Sequence, residues 1–455
     1  MLLTNGKKRI PIGYEDFKQL IDSGFYYVDK SMLIYELLHS GGQNNLITRP
    51  RRFGKTLNFS MLKYFFDINE KDNAYLFDGL KISEHYEELA MYRNTHPVIT
   101  LSLKCAKQGD YDKAIYSLRN EIQYQFKKYS DVLKSEKIDV NDRKRAEEIM
   151  AKDVPDTVLG DSIKLLCLCL KQYYGVNTII LIDEYDVPLE DAYFSGYYDK
   201  MVQFIRSLFE SALKTNPTLE FSVMTGCLRI SKESSFTGLN NLAVNSILSN
   251  KYSESFGFVQ SEVDELMEYY NIEEKSQLMK KWYDGYLLED YQVYNPKAVV
   301  SVMLKDKFRS YWSETGSYEA VVPLINMDFD GLKTAIIEML AGNAIEVDVG
   351  TFQNDMNNFY CRDDVLTYLI HLGYLAYDQD KERAFIPNEE VRMELIKAVK
   401  RRKWDEMIQF QQSSMKLLEE TLDIMKRVWQ LKLKKFILII LQSSNITMKI
   451  PSAVC

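Results

Sequence analysis

At 455 residues and 46% hydrophobic content, the chain is too long for one ordinary core and rich enough to fill two or three. A formal net charge of −8 and a pI near 5.4 give an average field that repels nucleic acid, so charge does not indicate it as a partner, although a local basic patch can still dock a phosphate backbone. Six scattered cysteines without CxxC spacing exclude a zinc ribbon and a disulfide framework, and no uncharged apolar run approaches the roughly 20 residues that span a bilayer, so a soluble, cytoplasmic protein with no membrane partner is expected.

The N-terminus, MLLTNGKKRIPIGYEDF, has no apolar h-region of an export signal. The first β-rich run is Asn45 to Thr48, and a helical stripe of Leu57, Met61, Leu62 and Phe65 follows it. Between them lies Arg49-Pro50-Arg51-Arg52-Phe53-Gly54-Lys55-Thr56. A strand, a turn and a helix start are the context a phosphate loop needs: helix N-terminal amides face a polyanion, and Gly54 lets the backbone approach. Lys55 then reaches the β- and γ-phosphates, and the Thr56 hydroxyl is a magnesium ligand. Arg49 stands where the GxxxxGK[ST] pattern has glycine, so only the second half of the pattern matches. Arg51 and Arg52 are candidates to neutralise phosphate charge or serve a neighbouring subunit; a solvated loop pair is the plainer alternative.

Val98 to Leu103 gives a second strand, and Ile115, Leu118, Ile122 and Phe126 the stripe of the helix after it. The charged stretch from Lys127 to Asp156 is expected to be an exposed helical insertion. A third helical stripe, Ile163, Leu166, Cys167 and Leu170, ends at Gly175, a residue suited to the left-handed turn that closes a helix.

Thr178 to Ile182 follows as a buried-type strand ending in Asp183 and Glu184. In phosphate-loop proteins an aspartate there helps hold the metal and a glutamate polarises the attacking water, whereas alone such a string is equally a strand and an acidic turn. Asp186 suits a supporting carboxylate or a turn before Pro188. The fourth strand, Phe221 to Thr225, carries Thr225 at its end, with Arg229 four residues on; both are candidates to sense a γ-phosphate, against the alternatives of β-propensity and a surface arginine. Alternating strands and helices make this part an α/β domain around a parallel sheet.

Past residue 250 the pattern turns mostly helical and aromatic, without another comparable β-rich run. Trp282-Tyr283-Asp284-Gly285-Tyr286 and Tyr294-Asn295-Pro296 are expected to pack this second domain. The stripe Val365, Leu366, Leu369 and Ile370, then Tyr374 to Tyr377, the turn DQDKER and Ala384 to Ile386, suggest a helix and hairpin of winged-helix kind. The four histidines have no metal-ligand spacing, and no GxSxG occurs, so hydrolase chemistry other than phosphoryl transfer has no support.

Ordered strings along residues 8 to 420, among them IPIGYEDF, FYYVDKSMLI, LITRPRRFGKTLNFSML, IILIDEYDVPL, TGCLRISKESSFTGLNNL, WYDGY and VYNP, resemble the AAA-ATPase-like proteins of gut and other anaerobic bacteria. The resemblance implies a P-loop NTPase core of the additional-strand, AAA-like class, a helical lid, and ATP as ligand. Lys55 and Thr56 match its phosphate loop, and Asp183 and Glu184 its second acidic motif. It also implies a C-terminal PD-(D/E)XK nuclease-like domain, whereas this sequence finishes in KKFILIILQSSNITMKIPSAVC; a truncation or shifted frame, and no nuclease activity, are expected.

The domains expected are therefore 1–250, the AAA-like ATPase; 251–395, a helical lid with a winged-helix-like end; and 396–455, a remnant tail. The expected function is hydrolysis of ATP with Mg2+ to drive a conformational change. Alternatives from other classes are a nucleotide-binding switch with little or no turnover and an inactive fragment of an ATPase–nuclease. A protein partner and a homo-oligomer stay open.

Overall fold

In the computed structural model of the chain, residues 6–40, 42–151, 154–228, 241–249, 251–288, 291–312, 321–327, 329–352, 359–400, 425–430 and 432 are described. Five strands form the central sheet: β1 (Asn44–Thr48), β2 (Val98–Ser102), β3 (Thr178–Asp183), β4 (Leu219–Gly226) and β5 (Leu242–Asn245). All pair in parallel, in the order β2-β3-β4-β1-β5. Every residue of β1 and β3 is buried, because helices cover both faces of a parallel sheet; this is why those strands read as continuous runs and not as alternations.

The α/β expectation holds, and β4 proves to stand between β1 and β3. Pairing of Thr48 with Gly226 and of Ile182 with Met224 brings three strand ends to one edge. In an open parallel sheet, that carboxyl edge is where ligands bind. β5 was not anticipated: four residues, LAVN, are too few to give a period.

The helices carry the stripes expected of them. Lys55–Phe66 buries Met61, Leu62 and Phe65. Tyr111–Lys128 starts at Asp110, whose side chain accepts from the Lys113 amide at 3.1 Å, and buries Ile115, Leu118, Ile122 and Phe126. Ser162–Tyr174 ends at Gly175 with φ 78°, as the sequence suggests.

The insertion expected to be exposed is helical at Ser130–Leu133 and Val140–Met150, but it buries Leu133, Ile138, Ala146 and Ile149. Gln123 fixes it by donating to the carbonyls of Ile149 and Ala151 at 2.9 and 2.6 Å. High charge content hid a narrow apolar stripe.

Beyond residue 250 the described chain is mostly helical, as expected, with two small antiparallel sheets added. One comprises β6 (Phe258–Val259), β7 (Tyr286–Leu288) and β8 (Tyr291–Tyr294), in the order β6-β8-β7. The other comprises β9 (Ile345–Glu346), β10 (Ala376–Asp378) and β11 (Arg383–Phe385), in the order β10-β11-β9. Strands of two to four residues lie below any window in which alternation can be recognised. The β10–β11 hairpin after the helix Arg362–Leu372 is the one foreseen.

Tyr283, Tyr286 and Tyr294 are buried, as packing residues would be. One apolar cluster runs from Phe17 in the N-terminal segment to Val399, and a smaller one gathers Val263, Met279, Tyr283, Tyr294 and Val302. The helix Glu389–Lys400 runs through position 395. Most of 396–455 lies outside the described residues. No described helix is long and apolar enough to cross a membrane.

Candidate functional site

The phosphate-loop segment leaves β1 at Thr48 and enters the helix Lys55–Phe66 through Gly54, whose φ of 83° suits a residue without a β-carbon. Lys55 is buried, and its ammonium donates to the carbonyls of Arg49 and Pro50 at 2.8 and 2.9 Å and lies 3.5 Å from Cys227 Sγ. The Thr56 hydroxyl donates to Asp183 Oδ2 at 2.8 Å. Thr225, from the strand between them, donates to the other oxygen, Oδ1. Residues 127 and 42 positions from Asp183 thus converge on one buried carboxylate.

Glu184 follows with a backbone φ of 52°, a left-handed conformation that costs a residue with a β-carbon of order 1–3 kcal/mol and persists only where surroundings enforce it. Burial, and next the neighbouring Asp183, push its carboxyl above the ordinary carboxylate range. A carboxylate raised toward neutrality is better matched to taking a proton near pH 7.

The next two residues hold the site's frame. Tyr185 donates its hydroxyl to the Leu228 carbonyl at 2.5 Å, and Asp186 Oδ2 accepts from the amides of Cys227 and Leu228 at 2.7 and 2.9 Å. Asp186 therefore clamps the exit of β4, besides preceding the helix Val187–Ser195. Gly226 is needed for space there: a β-carbon would lie 2.6 Å from Tyr185 Cε1.

Three arginines of the loop have three different partners. Arg49 is fully buried; its guanidinium donates to the carbonyls of Thr48, Asn245 and Ser246 at 2.9 to 3.1 Å and of Lys251 at 2.6 Å, and sits over the Phe256 ring. Burial lowers its pKa to about 10. It is a plug that ties β1 to the end of β5. Arg51 pairs with Glu190, at 2.9 and 2.7 Å from its two oxygens. Arg52, at φ 71°, donates to the carbonyls of Tyr311 and Trp312. Arg229 lies outside the described residues.

Above the loop opens a cavity of about 550 Å³, bordered by Arg51, Gly54, Lys55, Thr56, Glu184 and Asp186. That is within the size range of small-ligand pockets. Its lining also includes the apolar side chains of Ile10, Ile12, Tyr14, Phe258, Leu266 and Val300. Lys104 and Lys107, past the end of β2, also border it. None of these was singled out from the sequence; the tight run Ile-Pro-Ile-Gly-Tyr was the available signal.

The donor set suits magnesium. A hydroxyl and a carboxylate at hydrogen-bond distance are the hard oxygens this ion takes from a protein when phosphates and water complete its shell.

Residues 11–236 match the profile of the family described as "Predicted AAA-ATPase". An "uncharacterized protein in vnfD 5′ region" of Azotobacter chroococcum mcd 1 is 25% identical over 401 residues, covering 86% of this chain and 70% of that protein.

Proposed function

From a chain whose residues 11–236 belong to the AAA-ATPase-like family, we propose an ATPase that binds Mg-ATP in the cavity over Gly54 to Thr56 and hydrolyses it. The observation that carries this is the contact of Thr56 with Asp183 at 2.8 Å, which joins the helix after β1 to the end of β3 across β4. In the proposed complex Lys55 leaves its loop carbonyls for the phosphates, and the loop amides at the helix start face the same anion. Thr56 and Asp183 would hold Mg2+, which, when bound, neutralises charge on the phosphate oxygens. Glu184 orients the attacking water and takes its proton, and Thr225 keeps Asp183 in place while facing the γ-phosphate. The base takes the part of the cavity lined by apolar residues such as Ile10, Ile12, Tyr14 and Phe258. Hydrolysis would drive a conformational change between the sheet and the later region, a reading supported by the cavity's lining, which includes both Lys55 and residues of the Pro296–Lys305 helix.

Titration calorimetry with Mg-ATP on the wild type and Lys55→Ala is the test. The variant is expected to lose about a hundredfold in affinity, the scale of a charged contact to phosphate. Absence of binding in the wild type would overturn the proposal. Binding without turnover would leave a nucleotide switch.

A further inference from the structure

The phosphate loop is held from behind by the region beyond residue 285. Phe53 meets Tyr286 edge-on at 5.1 Å, and Pro50 abuts Gly373, where a β-carbon would come within 2.6 Å of Pro50 Cβ. Arg52 makes the most specific of these contacts. Its Nη1 donates to the Tyr311 carbonyl at 3.2 Å and its Nη2 to the Trp312 carbonyl at 2.5 Å, with the guanidinium 5.2 Å from the Trp312 ring. The amides of the same two residues donate to one oxygen of Glu390, at 2.7 and 3.0 Å. Glu390 is buried in the first turn of the helix Glu389–Lys400.

The chain from loop to helix is thus continuous: a guanidinium, two carbonyls, their two amides, a carboxylate. We propose that Arg52 and Glu390 are the ends of a relay through Tyr311 and Trp312, by which the position of the helix Glu389–Lys400 sets the conformation of the phosphate loop. Glu390 is then a positioning residue for the nucleotide site, and in this respect the inference rests on the function proposed above.

Two features make the relay sensitive. Arg52 holds a left-handed backbone that costs free energy in isolation and depends on its surroundings to persist. Glu390 is buried; among the described residues the amides of Tyr311 and Trp312 and the charge of Arg52 favour its charged form while Glu394 opposes it, so displacement of the helix removes acceptors and counter-charge together. When the helix shifts, Tyr311 and Trp312 lose their acceptor, Arg52 loses two fixed carbonyls, and residues 50–54 relax. Coupling free energy is reciprocal, so an anion that orders the loop also tightens the helix.

Hydrogen–deuterium exchange of the full-length chain without nucleotide tests the relay. Glu390→Ala is expected to speed exchange across residues 50–54 about tenfold, and Arg52→Ala to do the same across 389–400, within the usual range of site-to-site coupling. Glu390→Gln, which keeps an oxygen for both amides, restores most of the protection, and β3 exchanges equally in all variants. A merely structural Glu390 would speed exchange only around 308–312 and in its own helix; that outcome, or an unchanged loop, overturns the relay whether or not nucleotide binds. A parallel Mg-ATP titration should give about tenfold weaker binding for Glu390→Ala and near wild-type binding for Glu390→Gln. Equal affinities overturn the link to the nucleotide site. If the wild type binds no ATP, the proposed function fails and the exchange result alone decides the relay.

Discussion

The half of the molecule that holds β1 to β5 and the region that begins at Phe258 place their residues by different means. In the sheet, buried parallel strands set the register that puts Asp183 and Thr225 at one edge, and the loop after β1 with the helix Lys55–Phe66 carries Thr56 to the same carboxylate. In the later region the strands are only two to four residues long and sit among helices, and single side chains such as Tyr286 and residues such as Gly373 touch the loop. On the function proposed above, one half supplies the chemistry and the other borders it. Every candidate phosphate or metal group described here lies before residue 228, while Trp312, Gly373 and Glu390 lie behind the loop.

The sharpest way to break the sheet side is Arg49→Gly, which restores the residue of the usual phosphate-loop pattern. It should unfold the protein more readily, not improve nucleotide binding. Three buried carbonyls and a part-buried one lose their donor and a large side chain leaves a cavity, so about 4 kcal/mol of destabilisation is expected in urea unfolding. A stable Arg49→Gly protein with tighter ATP binding would sink the plug role. On the chemical side, Glu184→Gln should lower phosphate release about a hundredfold while Mg-ATP affinity holds, as expected for loss of a group acting in the transition state. Unchanged turnover would remove Glu184 from the mechanism.

These two residues also mark what the sequence discloses. The strands leading to Asp183 and Thr225 are legible because a two-sided buried strand needs an unbroken apolar run, and the loop is legible because Gly54, Lys55 and Thr56 directly precede a periodic stripe. The partners of Arg49, Arg51 and Arg52 are not: Ser246, Glu190 and Trp312 lie 197, 139 and 260 positions away, and no local pattern specifies such a contact. The three arginines look alike in sequence and differ only in what the fold places beside them. β5 and the two small sheets escape for a separate reason, since short strands are chosen by their neighbours. The apolar lining of the cavity escapes because an apolar N-terminal run is equally a packing segment.

Gly373→Ala probes the later region's hold on the loop. The new methyl group must enter a position at φ 84° and lie 2.6 Å from Pro50 Cβ, so strain and overpacking together should cost about 2 to 3 kcal/mol, read as a fall in Tm. If the region only decorates the sheet, Mg-ATP affinity will be untouched. If it shapes the loop, affinity falls as well, and by more than in a variant of equal Tm altered at the solvent face of the Tyr111–Lys128 helix.

The smallest expected effect distinguishes the two halves by pH. Burial pushes the Glu390 carboxyl up to about 7, from an ordinary value of 4.5, while the amides of Tyr311 and Trp312 and the charge of Arg52 pull the other way. A raised folded-state pKa means that the folded chain holds the proton more tightly than the unfolded one. The stability this gives is complete below about pH 4.5 and is lost as pH rises through about 7. Wild type should therefore lose of order 1–2 kcal/mol more than Glu390→Gln between about pH 5.5 and 8, since the amide has no proton to release. Parallel pH profiles of Tm for the two proteins would mean that Glu390 keeps one charge state throughout, and that the helix behind the loop is as indifferent to pH as the buried strands in front of it.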